Sequence, residues 1–395
     1  MKRLVMYLSV VAMVFFVGAT IAWAEQIAEP KVEATGAVLV ESGSGRVLWS
    51  KNKDEQMSMA STTKIMTAII TLEKASSLDE IVTVSKRAAS APKVKMFLDA
   101  GEEIRLDVLL YALMLQSSND AAVAIAEHIG GTLEDFCAAM TTKAHELGAI
   151  NTSFKTPSGL DAEGHYSTPH DMAIIAAYAL QNPKFVEIIN TSNYNAVSNK
   201  RTYSIVNKNR LLNEFGGAYG VKTGFTNKAG HCFVGVAQKD GMHLISVVLA
   251  SGWGDKGREQ KWIDTKQLLN YGFENFEIQQ IVNQGDAAGI LQITRTRTPQ
   301  IELFYNDELE MAVRKDGEDI SVIPFFPEAL PAPIEANIQI GEGRIYIQGE
   351  YFSSIPIYTA GSAERHDLKT SLEKVARAFL RLGTEQEIKV VLPEF

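Results

Sequence analysis

Cysteine is scarce in this chain: Cys137 and Cys232 are the only two in 395 residues. Neither sits in the Cys-x-x-Cys or Cys/His spacing of a zinc site, so no structural metal and no other cofactor is expected. Whether the two thiols are bridged stays open, because a bridge depends on geometry that the sequence does not carry. A basic excess is also missing. The 38 Lys and Arg are outnumbered by 47 Asp and Glu, a formal charge of −9, which argues against nucleic acid as a partner. No Gly-x-Ser-x-Gly elbow occurs, so His165, His170 and His231 do not build a Ser-His-Asp reading, and Asp171 beside His170 reads as a helix start.

What is present begins with Lys2-Arg3, an apolar run from Leu4 to Ile21, and Ala22-Trp23-Ala24. A positive start, an apolar middle and a small-x-small end predict a secretory signal peptide cut after Ala24. The competing reading is an uncleaved membrane anchor. Loss of Lys2 and Arg3 leaves the mature chain more acidic still. The protein is expected to work outside the cytoplasm, in a periplasm or on the outer face of the cytoplasmic membrane. At 395 residues, with 46% apolar and 22% charged residues, the chain is expected to fold as two domains plus processing segments.

Strand-like segments at Gly36–Glu41 and Arg46–Ser50 flank Ser42-Gly43-Ser44-Gly45, a hairpin signal. Helical periodicity dominates from Leu106 to about Leu147, broken by the polar Gln116-Ser117-Ser118-Asn119. Pro157 to His170 is turn-rich, and a helix is expected from Asp171 to Leu180, entered through Thr168-Pro169. Strands resume at Tyr219–Gly224, Cys232–Ala237 and Leu244–Leu249, with Gly241 at the last turn, and a helix from about Gln260 to Tyr271 follows. Strands at both ends of a helical middle imply an antiparallel sheet with helices packed on it. Past Phe276 come short strand-like runs (289–293, 300–305, 309–313, 336–340 and 344–349), with Glu328–Pro333 as a proline-marked linker, which together suggest a small all-β module. The expected division is 1–24 signal peptide, 25–276 catalytic domain, 277–360 all-β domain and 361–395 amphipathic tail. In that tail Leu368, Leu372, Val375, Ala376, Phe379 and Leu380 form one stripe, with Lys369, Lys374, Arg377 and Arg381 elsewhere. Such a helix either lies on an anionic membrane or docks on the protein itself.

Three polar clusters carry the chemistry. In Ala60-Ser61-Thr62-Thr63-Lys64-Ile65-Met66-Thr67, Ser61 and Lys64 are three residues apart at the head of an apolar helix, on one face. A serine hydroxyl needs a neighbour to take its proton, and a lysine serves only if burial or nearby cations keep it neutral. Alone the pair is weak, since Ser61 as a helix cap and Lys64 in solvent explain it equally. Ser117-Ser118-Asn119 between helices and Lys222-Thr223-Gly224 on a strand complete a set, in order and in context.

This set resembles the penicillin-binding proteins and serine β-lactamases, and most closely the low-molecular-mass serine D-Ala-D-Ala carboxypeptidases of peptidase family S11. The resemblance runs from about Glu33 to Phe276 and includes Ser158-Gly159-Leu160, Lys222-Thr223-Gly224-Phe225-Thr226-Asn227-Lys228-Ala229-Gly230 and Lys256-Gly257-Arg258-Glu259. The β module and basic tail look like that family's stalk and membrane-surface anchor. Ser118 departs from it, where many relatives have glycine or aspartate, and Phe225 replaces a histidine found in some.

The resemblance implies an α/β (α+β) penicillin-binding, β-lactamase-like transpeptidase fold followed by a small all-β domain. It implies Ser61 as nucleophile on the pentapeptide stem of peptidoglycan, acylated also by β-lactams, with Lys64 as proton acceptor and Ser117 as proton shuttle. Asn119 would hold the Lys64 amine or a substrate amide. Lys222 and Arg258 would hold the terminal carboxylate, with Lys64 and Lys222 each depressing the other's pKa. Thr223 and Gly224 would let the substrate lie along the strand edge, and the backbone N–H groups of Ser61 and Phe225 would form the oxyanion hole. The alternatives are a β-lactamase, a DD-endopeptidase and a catalytically inactive wall-binding homologue.

Overall fold

The computed structural model describes residues 28–366 and 368–384. The expected signal peptide and the last residues of the tail therefore lie outside the described residues.

Five strands form the central antiparallel sheet: β1 (Gly36–Glu41), β2 (Val47–Lys51), β3 (Ala218–Thr226), β4 (Gly230–Lys239) and β5 (Met242–Leu249), in the order β2-β1-β5-β4-β3. The chain leaves the sheet after β2 and returns to it at β3, and β1 pairs with β5 from Gly36 opposite Leu249 to Glu41 opposite Leu244. The two tight turns form for local reasons. Glu41 accepts from the Gly43 and Ser44 N–H groups across the β1–β2 turn, and Asp240 and Gly241 both take positive φ, as a two-residue hairpin of this twist requires.

Between β2 and β3 the chain is mainly helical, with α1 (Lys64–Lys74), α2 (Leu106–Tyr111), α3 (Asn119–Gly130), α4 (Leu133–Glu146), α5 (Pro169–Leu180) and α6 (Pro183–Asn190), and two small antiparallel ladders, Ile81–Thr83 with Glu103–Arg105 and Asn193–Val197 with Thr202–Val206, stand outside the central sheet. They bury one face of the sheet in a core that includes Ile65, Met66, Ile69, Leu109, Leu113, Ile125 and Phe136. Thr168 caps α5 by accepting from Asp171 N–H at 3.0 Å, with Pro169 in the first turn, as expected. The helix that closes this part, α7, is longer than its expected 260–271 and runs Gly254–Asn275. It covers the other sheet face through Trp262, Leu268 and Leu269 against Leu39, Phe233 and Leu244.

The strands beyond α7 are β6 (Phe276–Val282), β7 (Ala287–Thr294), β8 (Gln300–Tyr305), β9 (Leu309–Arg314), β10 (Ile320–Phe325), β11 (Ala329–Pro331), β12 (Gln339–Ile347) and β13 (Glu350–Thr359). β6 pairs with β9, and the other six form one sheet in the order β10-β12-β13-β8-β7-β11. The structure adds β6, β10 and β13 to the expected runs and differs from the sequence expectation in two further places. The expected linker Glu328–Pro333 holds β11, which pairs in parallel with β7 at the sheet edge, where prolines are tolerated because their missing N–H faces outward. The two expected runs at 336–340 and 344–349 are one strand, β12, since Gly341 and Gly343 interrupt the apolar pattern without ending the ladder.

Arg46, at the end of the β1–β2 turn, reaches across to this region. It is ion-paired with Glu318 at 2.6 Å and donates to the Ala312 carbonyl at 2.5 Å, with Glu318 almost fully enclosed. The tail forms α8 (Leu368–Thr384), whose Leu368, Leu372, Val375, Phe379 and Leu380 are exposed. Among the described residues no helix is long and apolar enough to cross a membrane. Cys137 and Cys232 are separate, buried thiols, which burial pushes up to about 11 and about 12.

Candidate active site

Ala60–Thr63 forms a single 3₁₀ turn that runs directly into α1 at Lys64. Side chains three apart eclipse one another in a 3₁₀ turn, which is tighter alignment than the α-helix assumed from sequence would give. Lys64 Nζ lies 3.0 Å from Ser61 Oγ. It also donates to Asn119 Oδ1 at 2.8 Å and to the Ser158 carbonyl at 2.5 Å. Lys64 has no solvent exposure at all. Burial, helped by the nearby Lys222 charge and opposed by Asp120, drives its pKa far below that of an ordinary lysine. A neutral amine in contact with the hydroxyl is the state in which lysine accepts a proton.

Ser117 terminates α2's extension. The helix continues as a wider turn through Ala112–Gln116 and stops at Ser117, which takes φ of 65°. Ser118 then caps α3 in an extended conformation, and Asn119 is its first residue. The kink turns Ser117 into the cleft and Asn119 towards Lys64. Ser117 does not hydrogen-bond Lys64 here. The Ser118 hydroxyl is buried without a hydrogen-bond partner. Asp120, wholly buried, accepts from the Met96 and Leu98 N–H groups at 3.0 and 3.1 Å, and Asn119 donates from its backbone to Val94. These bonds fix the Pro92–Leu98 loop as one wall of the cleft.

Lys222, Thr223 and Gly224 lie on β3 with Phe225 next along the strand. A Cβ placed on Gly224 would stand 2.9 Å from the Ser61 nitrogen and 3.1 Å from the Ala60 Cβ, so only glycine lets this strand lie against the Ala60–Thr63 turn. Ser61 N–H and the β3 backbone are thereby brought to one place. Lys222 is buried and lowered to about 7 by burial and by Lys208. The mutual depression of Lys64 and Lys222 expected from sequence is one-sided: Lys222 helps to lower Lys64, whereas Lys222 is itself lowered by burial and by Lys208.

The Ser158-Gly159-Leu160 segment closes the back of the site. Gly159 has φ of 83°, and a Cβ there would fall 1.9 Å from the Ala60 carbonyl oxygen. Thr156 Oγ1 fixes the turn by accepting from Gly159 N–H at 3.1 Å. Sequence comparison had singled out this segment, but not that its carbonyl would be a third partner of Lys64.

The cleft of about 580 Å³ is lined by Ser61, Ser117, Thr223, Gly224, Phe225 and Arg258, together with Val94, Lys208, Arg210, His231, Lys261 and Trp262. None of its lining residues is acidic. Arg258, in the second turn of α7, is largely exposed and weakly paired with Asp255 at 3.4 Å. Arg210 is bound to Glu214 and Glu259. Lys208 reaches only the Gln116 carbonyl at 3.4 Å. Sequence reasoning missed Lys208, Arg210 and Lys261; the Lys-Asn-Arg spacing at 208–210 was the available signal. The histidines are structural. His165 accepts Lys155 N–H and bonds Thr63 Oγ1 at 3.0 Å, and burial lowers it to about 4. His231, also at about 4, bonds the Gly254 carbonyl at 3.1 Å. Ser61 Oγ itself bonds only Lys64 and the Ser158 carbonyl. Among the described residues no group of His, Cys, Asp or Glu is arranged to hold a metal.

An antiparallel sheet flanked by helices, with an active-serine turn against its edge strand, defines the penicillin-binding class of serine acyl-transfer enzymes. The chain belongs to the Peptidase_S11 family of D-alanyl-D-alanine carboxypeptidases, whose family model matches residues 23–252. It is thus a serine-type hydrolase of the bacterial cell wall. It is 32% identical to the D-alanyl-D-alanine carboxypeptidase DacF of Bacillus subtilis, over 85% of this chain and 86% of that one. With DacA of Escherichia coli, also a D-alanyl-D-alanine carboxypeptidase, it shares 35% identity over 83% of each chain. The crystal structure of penicillin-binding protein 5 from Haemophilus influenzae superposes with a TM-score of 0.74 at 27% identity, covering 86% of this chain and all of that one.

Proposed function

We propose that Ser61, Lys64 and Ser117 carry out the family's carboxypeptidase reaction on the pentapeptide stem of peptidoglycan. Ser61 Oγ attacks the carbonyl of the penultimate D-Ala while Lys64 takes the hydroxyl proton. The new ester C–O bond forms as the C–N bond to the last D-Ala breaks, and Ser117 passes the proton from Lys64 to the leaving amine. Water then hydrolyses the ester and Ser61 regains its proton. The Ser61 and Phe225 N–H groups hold the oxyanion. Asn119 orients Lys64, Thr223 and Gly224 seat the substrate backbone on the β3 edge, and Lys222 with Arg258 hold the free carboxylate. A β-lactam would acylate the same serine. The observation that carries this reading is the fully buried Lys64 amine, 3.0 Å from Ser61 Oγ.

In this reading the division of labour along the chain is a removed segment 1–24, a catalytic domain 25–276, an all-β domain 277–360 and a tail 361–395. The enzyme acts in the periplasm or on the outer face of the cytoplasmic membrane. The apolar stripe of α8 rests on that membrane, supported by the exposure of five large apolar side chains on one helix.

The test is release of D-alanine from a soluble pentapeptide by wild type and Ser61→Ala, with labelled penicillin in parallel. Wild type should release D-alanine and retain the label, and the variant should do neither. Rapid turnover of the penicillin would make the protein a β-lactamase, and full activity in Ser61→Ala would end the proposal.

A further inference from the structure

The catalytic reading leaves one built feature of the β region unused. Where β10 ends and β12 begins, Phe325, Phe326, Pro327, Gln339, Gly341 and Glu342 line a groove of about 670 Å³. Its floor is rigid. Phe326 is wedged between two glycines, for a Cβ on Gly289 or on Gly341 would each come to 2.7 Å of a Phe326 side-chain atom. Phe325, by contrast, is 59% exposed. Arg344 lies over the Phe325 ring, its guanidinium carbon 4.0 Å from the centroid. The same guanidinium is ion-paired with Glu342 at 2.7 Å.

These groups select a kind of ligand. Arg344 and Glu342 cancel each other's charge, so the groove offers no counter-charge to an anion or a cation. What it does offer is the Glu342 carboxylate and the Gln339 amide in its wall, the Arg344 guanidinium beside them, and the part of the Phe325 ring that Arg344 leaves exposed. A saturated ring with hydroxyls at its rim and C–H bonds on its faces satisfies both halves. The hydroxyls exchange hydrogen bonds with the planar side chains, and the C–H face meets the negative face of the phenyl ring. The volume lies within the range of small-ligand sites.

We propose that this groove binds the uncharged sugar backbone of the wall polymer whose peptide stems the catalytic cleft processes. The identity of that polymer rests on the carboxypeptidase reading above. A second, weak hold on the polymer raises the local concentration of stems at the cleft without any new contact in the cleft itself.

Binding of β-1,4-linked N-acetylglucosamine oligomers, which are neutral and carry no peptide, tests this directly by calorimetry on the full chain with Ser61 blocked by penicillin. Such oligomers offer nothing to the catalytic cleft. Wild type should bind, while Phe325→Ala and Arg344→Lys, the second retaining charge but losing the flat fork, should bind at least about ten-fold more weakly. Both variants should keep wild-type kcat/KM on a soluble pentapeptide, which also shows that they are folded. Absence of wild-type binding, or equal binding by both variants, overturns the proposal. So does binding to whole sacculi that protease treatment abolishes, which would put a protein in the groove. Loss of D-alanine release by wild type would instead remove the carboxypeptidase reading and leave the glycan measurement standing by itself.

Discussion

Helices α1 and α8 break the same rule in opposite directions. α1 opens on a lysine with no solvent exposure, whereas α8 holds leucines and a phenylalanine almost fully in water, Leu368 at 78% and Phe379 at 73%. A charged group inside and an apolar stripe outside are the two arrangements that folding alone disfavours. Each is tolerated for a different reason. Lys64 is made bearable by losing its proton and meeting three oxygen partners. α8 finds no such cover among the described residues. In the proposed reading the burial exception serves chemistry and the exposure exception serves contact with a membrane.

The largest expected effect sharpens the α1 side. Ser61→Ala should lower kcat by roughly ten-thousand-fold or more, as for other covalent serine enzymes, with D-alanine release as the measurement. Lys64→Met should cost about a thousand-fold in acylation by penicillin. Burial that lowers the Lys64 pKa costs folding stability below the pKa of the unfolded chain, so this variant should melt no lower than wild type. A much lower melting temperature would show that Lys64 is there for the fold, and the contrast with α8 would collapse.

pH gives the next measure. Lys222 is lowered to about 7, so it is charged below that pH and neutral above it. kcat/KM for a peptide with a free carboxylate should therefore fall as pH rises through about 7. In kcat the fall should come at higher pH, since a bound carboxylate favours the charged amine. Lys208→Met removes a neighbouring cation and should move the limb upwards. A limb that survives in Lys222→Met would belong to another group.

The smallest effect in the cleft belongs to the largest change outside it. Leu372→Glu with Phe379→Glu should release the protein from anionic vesicles by at least about ten-fold in partitioning, with no change in hydrolysis of a soluble peptide. Unaltered partitioning would mean that α8 covers protein rather than lipid.

Much of this was legible in the sequence because the chemistry depends on spacing. Ser61 and Lys64 need only one turn, and Lys222-Thr223-Gly224 needs only a strand. The central sheet was legible as well, since its strands alternate or run apolar between clear turns. The cleft's cationic wall was not, because Lys208, Arg210 and Lys261 belong to separate segments joined only by the fold. Nor was the role of the Ser158 carbonyl, since a backbone oxygen has no letter in the sequence. In the β region, Gly341 and Gly343 within β12 and prolines at β11 look like breaks. Sheet pairing overrode them, as tertiary context overrides local propensity.

The buried pair between Arg46 and Glu318 has a mechanical consequence. It joins the hairpin of the central sheet to the β region beside the covalent joint at Phe276, with the Arg46 guanidinium 5.7 Å from the Phe276 ring centre, and so stiffens against rotation a joint that would otherwise act as a swivel. The cleft and the β region are thus braced as one piece, so that turning one turns the other.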